Sequence, residues 1–118
     1  LRRQAHPRIL PLLLIGVAVG WAGVAFVPYN RAPHLHDMFG YGQTIMACVS
    51  MVLLRRFKLG TSTQVYYIGV LSVVVVGLLL GVHHTAGQPP ILYAELAGQC
   101  CFYVWILRLT HDIKSNLR

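Results

Sequence analysis

The chain has 118 residues and a formal net charge of +7, yet only 11% of its residues are charged and 56% are hydrophobic. A soluble domain carries about 25% charged residues, and the mean hydropathy here is +0.60. So few charges cannot cover a water-facing surface, which excludes a soluble enzyme, a disordered tail and a DNA-binding domain and leaves an all-α integral membrane protein.

The opening LRRQAHPR is basic and an apolar run follows it, an order shared with secretory signals. The run is too long for a signal core, and no small-residue cleavage site follows, so it reads as a retained helix. The chain starts at Leu1 rather than Met, which reads as a processed chain or a piece of a longer one. Four apolar runs follow in order, at residues 9–27, 35–54, 64–82 and 91–107. Each is close to the ~20 residues needed to cross a ~30 Å hydrocarbon core. The runs are continuous rather than alternating, so helices are expected over about 9–29, 35–56, 64–83 and 91–110.

The links VPYNRAP, RRFKLGTST and HHTAGQPP are short, and Pro28, Pro33, Pro89 and Pro90 punctuate two of them. Short links make successive helices antiparallel neighbours. The expectation is one domain over 1–118, an antiparallel transmembrane bundle of four helices. Arg2, Arg3 and Arg8 precede the first helix, Arg55, Arg56 and Lys58 lie between the second and third, and Arg108, Lys114 and Arg118 follow the fourth. Arg31 alone falls on the other side. The positive-inside rule then predicts a multi-pass protein of the cell membrane with both termini cytoplasmic. The basic balance is an orientation signal that also attracts anionic lipid, at about 1 kcal/mol per nearby cation; nucleic acid is not needed as a partner.

Trp21, Tyr29, Tyr66, Tyr67, Tyr93, Tyr103 and Trp105 mostly sit near helix ends, as an aromatic belt does. Gly16 with Gly20, and Gly77 with Gly81, form two GxxxG patterns that permit close helix contact. Cys48, Cys100 and Cys101 lie inside apolar runs and read as small packing residues, without a disulfide framework or a c-type haem motif.

The polar residues gather where the topology predicts the outer face. His34, His36 and Asp37 open the second helix, His83 and His84 close the third, and Glu95 stands about 6 Å inside the fourth. His36, Gly40, Gln43, Ala47 and Ser50 form a small or polar stripe at helical spacing, and Glu95 and Gln99 share a face. Polar residues within lipid turn toward protein. The expectation is therefore a polar cleft, open to the outside, in which Glu95, Gln99, His36 and Gln43 converge with Asp37 beside them and Glu95 faces His36.

Several chemistries fit that set. His36, His83 and His84, with Asp37 and Glu95, offer ligands for a divalent metal, although their spacing matches no standard zinc motif. His36 with His83 or His84 would ligate a b-type haem, and a His–Glu proton relay is a third option. Against these stands the plainer reading that His34, His83 and His84 are solvated helix-end residues, that His6 and His111 are incidental, and that Asp37 serves the first turn of its helix. Glu95 is harder to dismiss, since an acid at full bilayer depth costs about 2.5–3.5 kcal/mol.

The stretch VAFVPYNRAPHLHDMFGYGQTIMACVSMVLLRRF is a helix ending in VP, a short polar loop and a His-led helix. ILYAELAGQCCFYVWILRLTHDI is an acid-led final helix with aromatics. This order resembles the bacterial six-helix membrane proteins of the domain of unknown function numbered 998 and their Frag/DRAM/Sfk-type relatives. The family's His corresponds to His36, its preceding proline to Pro28 or Pro33, and its helix acid to Glu95; Gly40 stands where the family pattern has Ala. The resemblance implies that two N-terminal helices are missing. It implies no established catalytic activity, and the lipid-anchor remodelling of some eukaryotic relatives implies a lipid headgroup as ligand. The function expected is thus a membrane protein of no assignable catalytic activity whose cleft binds a lipid headgroup, or a helper subunit of a larger membrane complex. A metal-dependent membrane hydrolase and a haem- or pigment-binding electron-transfer subunit are the alternatives. The partners expected are membrane lipid and other transmembrane subunits or further copies of the chain.

Overall fold

The computed structural model describes residues 8–56, 61–88 and 90–118; Arg2, Arg3, His6, Lys58 and Pro89 lie outside them. Among the described residues there are four α-helices and no strand. They are α1 (Ile9–Phe26), α2 (Pro33–Leu53, continued by one 3-10 turn, Leu54–Arg56), α3 (Thr63–Ala86) and α4 (Ile91–Asn116). The chain divides into two compact units, Leu1–Phe57 and Lys58–Arg118. The first is the pair α1 and α2, the second the pair α3 and α4.

Helix ends depart from the sequence expectation for local reasons. α1 stops at Phe26 because Val27 is extended, with φ −103° and ψ 101°, the conformation that Pro28 imposes on the residue before it. α2 starts at Pro33, at the head of the helix, where a missing N–H costs nothing. α3 ends against Gly87, whose φ of +68° only glycine adopts freely, and whose N–H closes on the His83 carbonyl at 2.8 Å. α4 runs past its apolar stretch to Asn116 because Leu109 and Asp112 are still buried there.

The first pair is held by absent side chains. Gly23 lies against the ring of Phe39, Gly20 against Gln43 and Gly16 against the thioether of Met46. The step of four then three residues along α1 is answered by a step of three then four back along α2, so the pair is antiparallel in one register. A methyl group at Gly20 would fall 2.6 Å from the Cβ of Gln43 and 3.1 Å from the Phe39 carbonyl oxygen, so the backbones approach closely there. Leu10 and Val17 of α1 are buried with Ser50, Met51 and Leu54 of the second helix and its 3-10 turn.

The second pair uses larger residues and a polar strap. Val65, Gly69, Ser72 and Val76 line the buried face of α3, and Ala94, Phe102, Trp105, Leu109 and Asp112 that of α4. Both sets repeat at helical spacing. Val76 meets Gly98, Arg108 donates from Nη2 to Gln64 Oε1 at 3.1 Å, and Asp112 meets Ser62, again in one antiparallel register. Asp112 Oδ2 accepts from the Ser62 hydroxyl and from its backbone N–H at 3.0 Å. Arg108 Nε stands 3.5 Å from Asp112 Oδ1. No side chain of α3 caps its own first turn; a carboxylate from α4 serves that positive helix end instead. The Ser62 hydroxyl, then its backbone N–H, hold the Asp112 carboxyl below the usual carboxylate range, helped by Arg108 and His111.

α1, α2 with its 3-10 turn, and α3 are long and apolar enough to cross a membrane. α4 is outside that set: it carries Glu95 and Gln99 in one half and Arg108, Asp112 and Lys114 in the other. Hydroxyls on the helices bond back into their own backbones. Thr44 donates to the Gly40 carbonyl at 2.9 Å, Ser50 to Met46 at 2.7 Å and Ser72 to Ile68 at 2.7 Å, which satisfies each without water.

Overpacking a close contact costs about 1–3 kcal/mol, so Gly20→Ala should lower thermal stability in mild detergent clearly. Gly77→Ala should leave it level, since a Cβ at Gly77 meets nothing within 4 Å. Asp112 contributes stability above its ordinary unfolded pKa that is lost as pH falls through its lower folded value. Thermal melts of wild type and Asp112→Asn should therefore differ at neutral pH, begin to converge below about pH 4, where the unfolded carboxyl protonates, and meet only below the lower folded value.

Candidate functional site

Each pair has a closed end, at its link, and an open end. The closed end of the first pair is a tight turn. The N–H groups of Arg31 and Ala32 both reach the Pro28 carbonyl at 3.1 Å, and the His36 N–H reaches Ala32 at 2.9 Å. This turn brings the His36 ring back over the end of α1, where Nδ1 lies 2.7 Å from the Val27 carbonyl oxygen. A carbonyl only accepts, so Nδ1 carries the proton. The contact satisfies an otherwise orphaned C-terminal carbonyl of α1. Tyr29 packs edge-on to the same ring, with centroids 5.6 Å apart and planes at 85°. His36 is thus a clasp between the two helices, and in its neutral form Nε2 is the one ring atom left to receive a ligand.

Asp37 follows, half-buried. Because α2 starts at Pro33, Asp37 lies beyond the first turn, so it does not serve that turn as expected. Gln43 is 8% exposed, beneath Gly20, and its Oε1 is buried without a hydrogen-bond partner. The predicted stripe of small and polar residues on α2 does turn toward protein: Gln43 and Ser50 are buried, and His36, Gly40 and Ala47 are half-buried.

The closed end of the second pair carries His83 and His84 in the last turn of α3, their ring centroids 5.3 Å apart. Glu95 and Gln99 share a face of α4, as their spacing requires, but both are exposed. The face turned to α3 is that of Ala94, Phe102 and Trp105. Glu95 and Gln99 therefore point away from the interior of their own pair, among the exposed Leu92, Leu96 and Tyr103. His36, Asp37 and Gln43 belong to the first pair, and His83, His84, Glu95 and Gln99 to the second. Within either pair, among the described residues, no three His, Cys, Asp or Glu side chains gather as a metal would need.

The polar set that the sequence reading missed is Ser62, Gln64, Arg108 and Asp112. Arg108 and Asp112 are four apart on one helix, a local ion-pair signal. Their partners lie at the start of α3, far away in the chain, and nothing local in the sequence announces them.

No family model matches the chain, and no curated protein or solved structure matches it either.

Removing the His36 clasp by His36→Ala should cost about 0.5–1.5 kcal/mol, the usual net value of one hydrogen bond. Replacing Gln43 by Leu removes a buried amide whose oxygen has no partner and should raise the melting temperature in detergent. A fall on Gln43→Leu would mean that the amide has a bound partner.

Proposed function

We propose that the chain is an integral membrane protein with four spans and no assignable catalytic activity, which engages a lipid headgroup through polar side chains at its outer face or works as a helper subunit within a larger membrane complex. One observation carries the membrane reading: the three long apolar helices are barely covered. Of the most apolar 18-residue window in α1, α2 and α3, 17%, 17% and 22% is buried. Leu12, Ile15, Val19, Ile45, Leu71 and Leu78 are each more than half exposed. Water does not tolerate a surface of that kind, whereas lipid requires it.

Pairing supports the fourth span. α4 lies against α3 from Asp112 beside Ser62 to Gly98 beside Val76. α3 has 24 residues, or about 36 Å at 1.5 Å per residue, enough for a ~30 Å core. A helix packed along that length in the opposite direction returns through the same slab. The cations then orient the protein, with both termini cytoplasmic and both closed ends outside.

Glu95 and Gln99 give the functional reading. A carboxyl and an amide on the outward face of a membrane helix need a partner, and α3 does not supply one. At the shallow depth of Glu95, an ammonium- or hydroxyl-bearing headgroup satisfies both, as does a polar residue of a neighbouring subunit. The resemblance to the family of the domain of unknown function numbered 998 supports the headgroup.

Two measurements test this. In a variant whose three native cysteines are replaced, a cysteine at Gln88 should react with an impermeant thiol reagent in intact cells, and one at Ser115 only after lysis. Labelling of both in intact cells would show that α4 does not cross. Native mass spectrometry of the full chain from mild detergent should show a retained phospholipid or partner subunit that Glu95→Gln loses. A bare chain, or equal retention by the variant, would overturn the role of Glu95.

A further inference from the structure

We propose that the outward face of α4 pairs with the same face of a second copy of the chain, Gln99 of each copy donating to Glu95 of the other. This rests on the reading that α4 crosses the membrane, and it commits to the neighbouring subunit as the partner of these two side chains. Within the second pair, no hydrogen bond or ion pair holds the side chain of Glu95 or Gln99 among the described residues, and both are exposed. The described cations of that pair, Arg108, Lys114 and Arg118, are no substitute. The nearest of them along α4, Arg108, stands about 20 Å from Glu95 at 1.5 Å per residue.

Depth favours a protein partner over a lipid one. α4 begins at Ile91, so Glu95 lies about 6 Å along the helix and Gln99 about 12 Å. Half of a ~30 Å hydrocarbon core is ~15 Å. With Ile91 at the outer edge of that core, Gln99 is near the middle of the bilayer. A headgroup reaches it there less readily than a side chain on another helix at the same depth. Polar residues within lipid turn toward protein, and the face of α4 that packs on α3 is the one with Ala94, Phe102 and Trp105.

The outward face is its own complement, which selects a second copy. A carboxyl accepts, an amide both donates and accepts, and the two stand one turn apart on α4. The cations orient every copy alike, so a twofold axis along the membrane normal sets equal residues at equal depth. Across such an axis residue i meets j while j meets i. Side chains on a helix lean toward its N-terminus, which carries the Gln99 amide up toward the level of Glu95 on the facing helix. Two hydrogen bonds then form per dimer, and a carboxyl oxygen accepts them whether or not Glu95 is ionised. Leu92, Tyr103, Ile106 and Thr110 continue the same face at steps of three and four residues, Ile106 half-buried and the others exposed. The Thr110 hydroxyl is already satisfied by the Ile106 carbonyl at 2.7 Å, so Glu95 and Gln99 alone bring unmet polar groups to this face.

The test uses the purified full chain in mild detergent, with native mass spectrometry to read dimer against monomer. Wild type is compared with Glu95→Ala, Gln99→Ala and a Val104→Ala control, Val104 being 56% exposed and half a turn round α4 from Glu95. Either of the first two variants loses both bonds, so its dimer should weaken about eight-fold, from ~0.6 kcal/mol per interhelical hydrogen bond. The control should dimerise as wild type does. Mixing the Glu95→Ala and Gln99→Ala chains restores one bond in the mixed dimer alone, which should exceed its statistical share about three-fold. That excess requires folded chains, so it separates loss of the contact from loss of the fold. A monomeric wild type, an unchanged dimer in both variants, or random mixing of the two would overturn the proposal. A wild-type monomer that retains a phospholipid which both variants lose would also overturn it, by giving the two side chains to a headgroup. Thiol labelling at Gln88 and Ser115 reads independently whether α4 crosses, so failure of the dimer is distinguishable from failure of the four-span topology.

Discussion

In the first pair, α1 comes down onto α2 because Gly16, Gly20 and Gly23 present no side chain to hold it off. The rest of that unit follows from this seam. Once Gly20 rests on Gln43, the register of the pair is set, and His36 arrives one turn beyond Phe39, level with the carbonyl of Val27 just after α1. The clasp from His36 to Val27 is therefore a consequence of the seam rather than an independent device. The same seam covers Gln43 and buries its amide oxygen without a hydrogen-bond partner. Close backbone approach is what small residues supply in a lipid environment, where apolar side chains have no preference for one another over lipid.

The second pair solves the same problem with a different interaction. Its Gly77 and Gly81 face open space, so the second GxxxG pattern is not the seam of this pair. α3 and α4 meet through Val65, Val76, Phe102, Trp105 and Leu109, and a carboxylate at the far end ties them. Asp112 completes the start of α3, which has no cap of its own, and Arg108 braces it. A buried carboxylate is tolerable there because it accepts two hydrogen bonds and stands beside a cation.

These two arrangements leave different groups unassigned. The first pair buries Gln43 and Ser50 and half-buries His36 and Asp37. Near the closed end of the second, His83 is half-buried, while Glu95, Gln99 and His84 are exposed. An acid that faces away from its own helical partner, on a chain this apolar, is the feature most in need of a further partner, and the proposed headgroup contact follows from that need.

Among the described residues, the sequence by itself determined helix as the only regular secondary structure, the number of helices and the approximate position of the links. The physical reason is local: long apolar runs, prolines at their borders and a shortage of charge leave no other solution. It also placed the small stripe of α2 on a buried face, since spacing alone assigns residues to faces. It did not determine what meets each face. Two GxxxG patterns look alike in the sequence, yet one is a seam and the other is open, because a glycine is a contact only when another helix comes to it. Glu95 and Gln99 share a face by spacing, but the face α4 turns to α3 is the one carrying Phe102 and Trp105, whose burial outweighs that of a carboxyl and an amide. Asp112 looks like an incidental acid in a polar tail until Ser62, distant in the chain, comes to it. Only the tertiary structure decides such matters, because they depend on which surfaces pack, and packing joins residues that the chain order keeps apart.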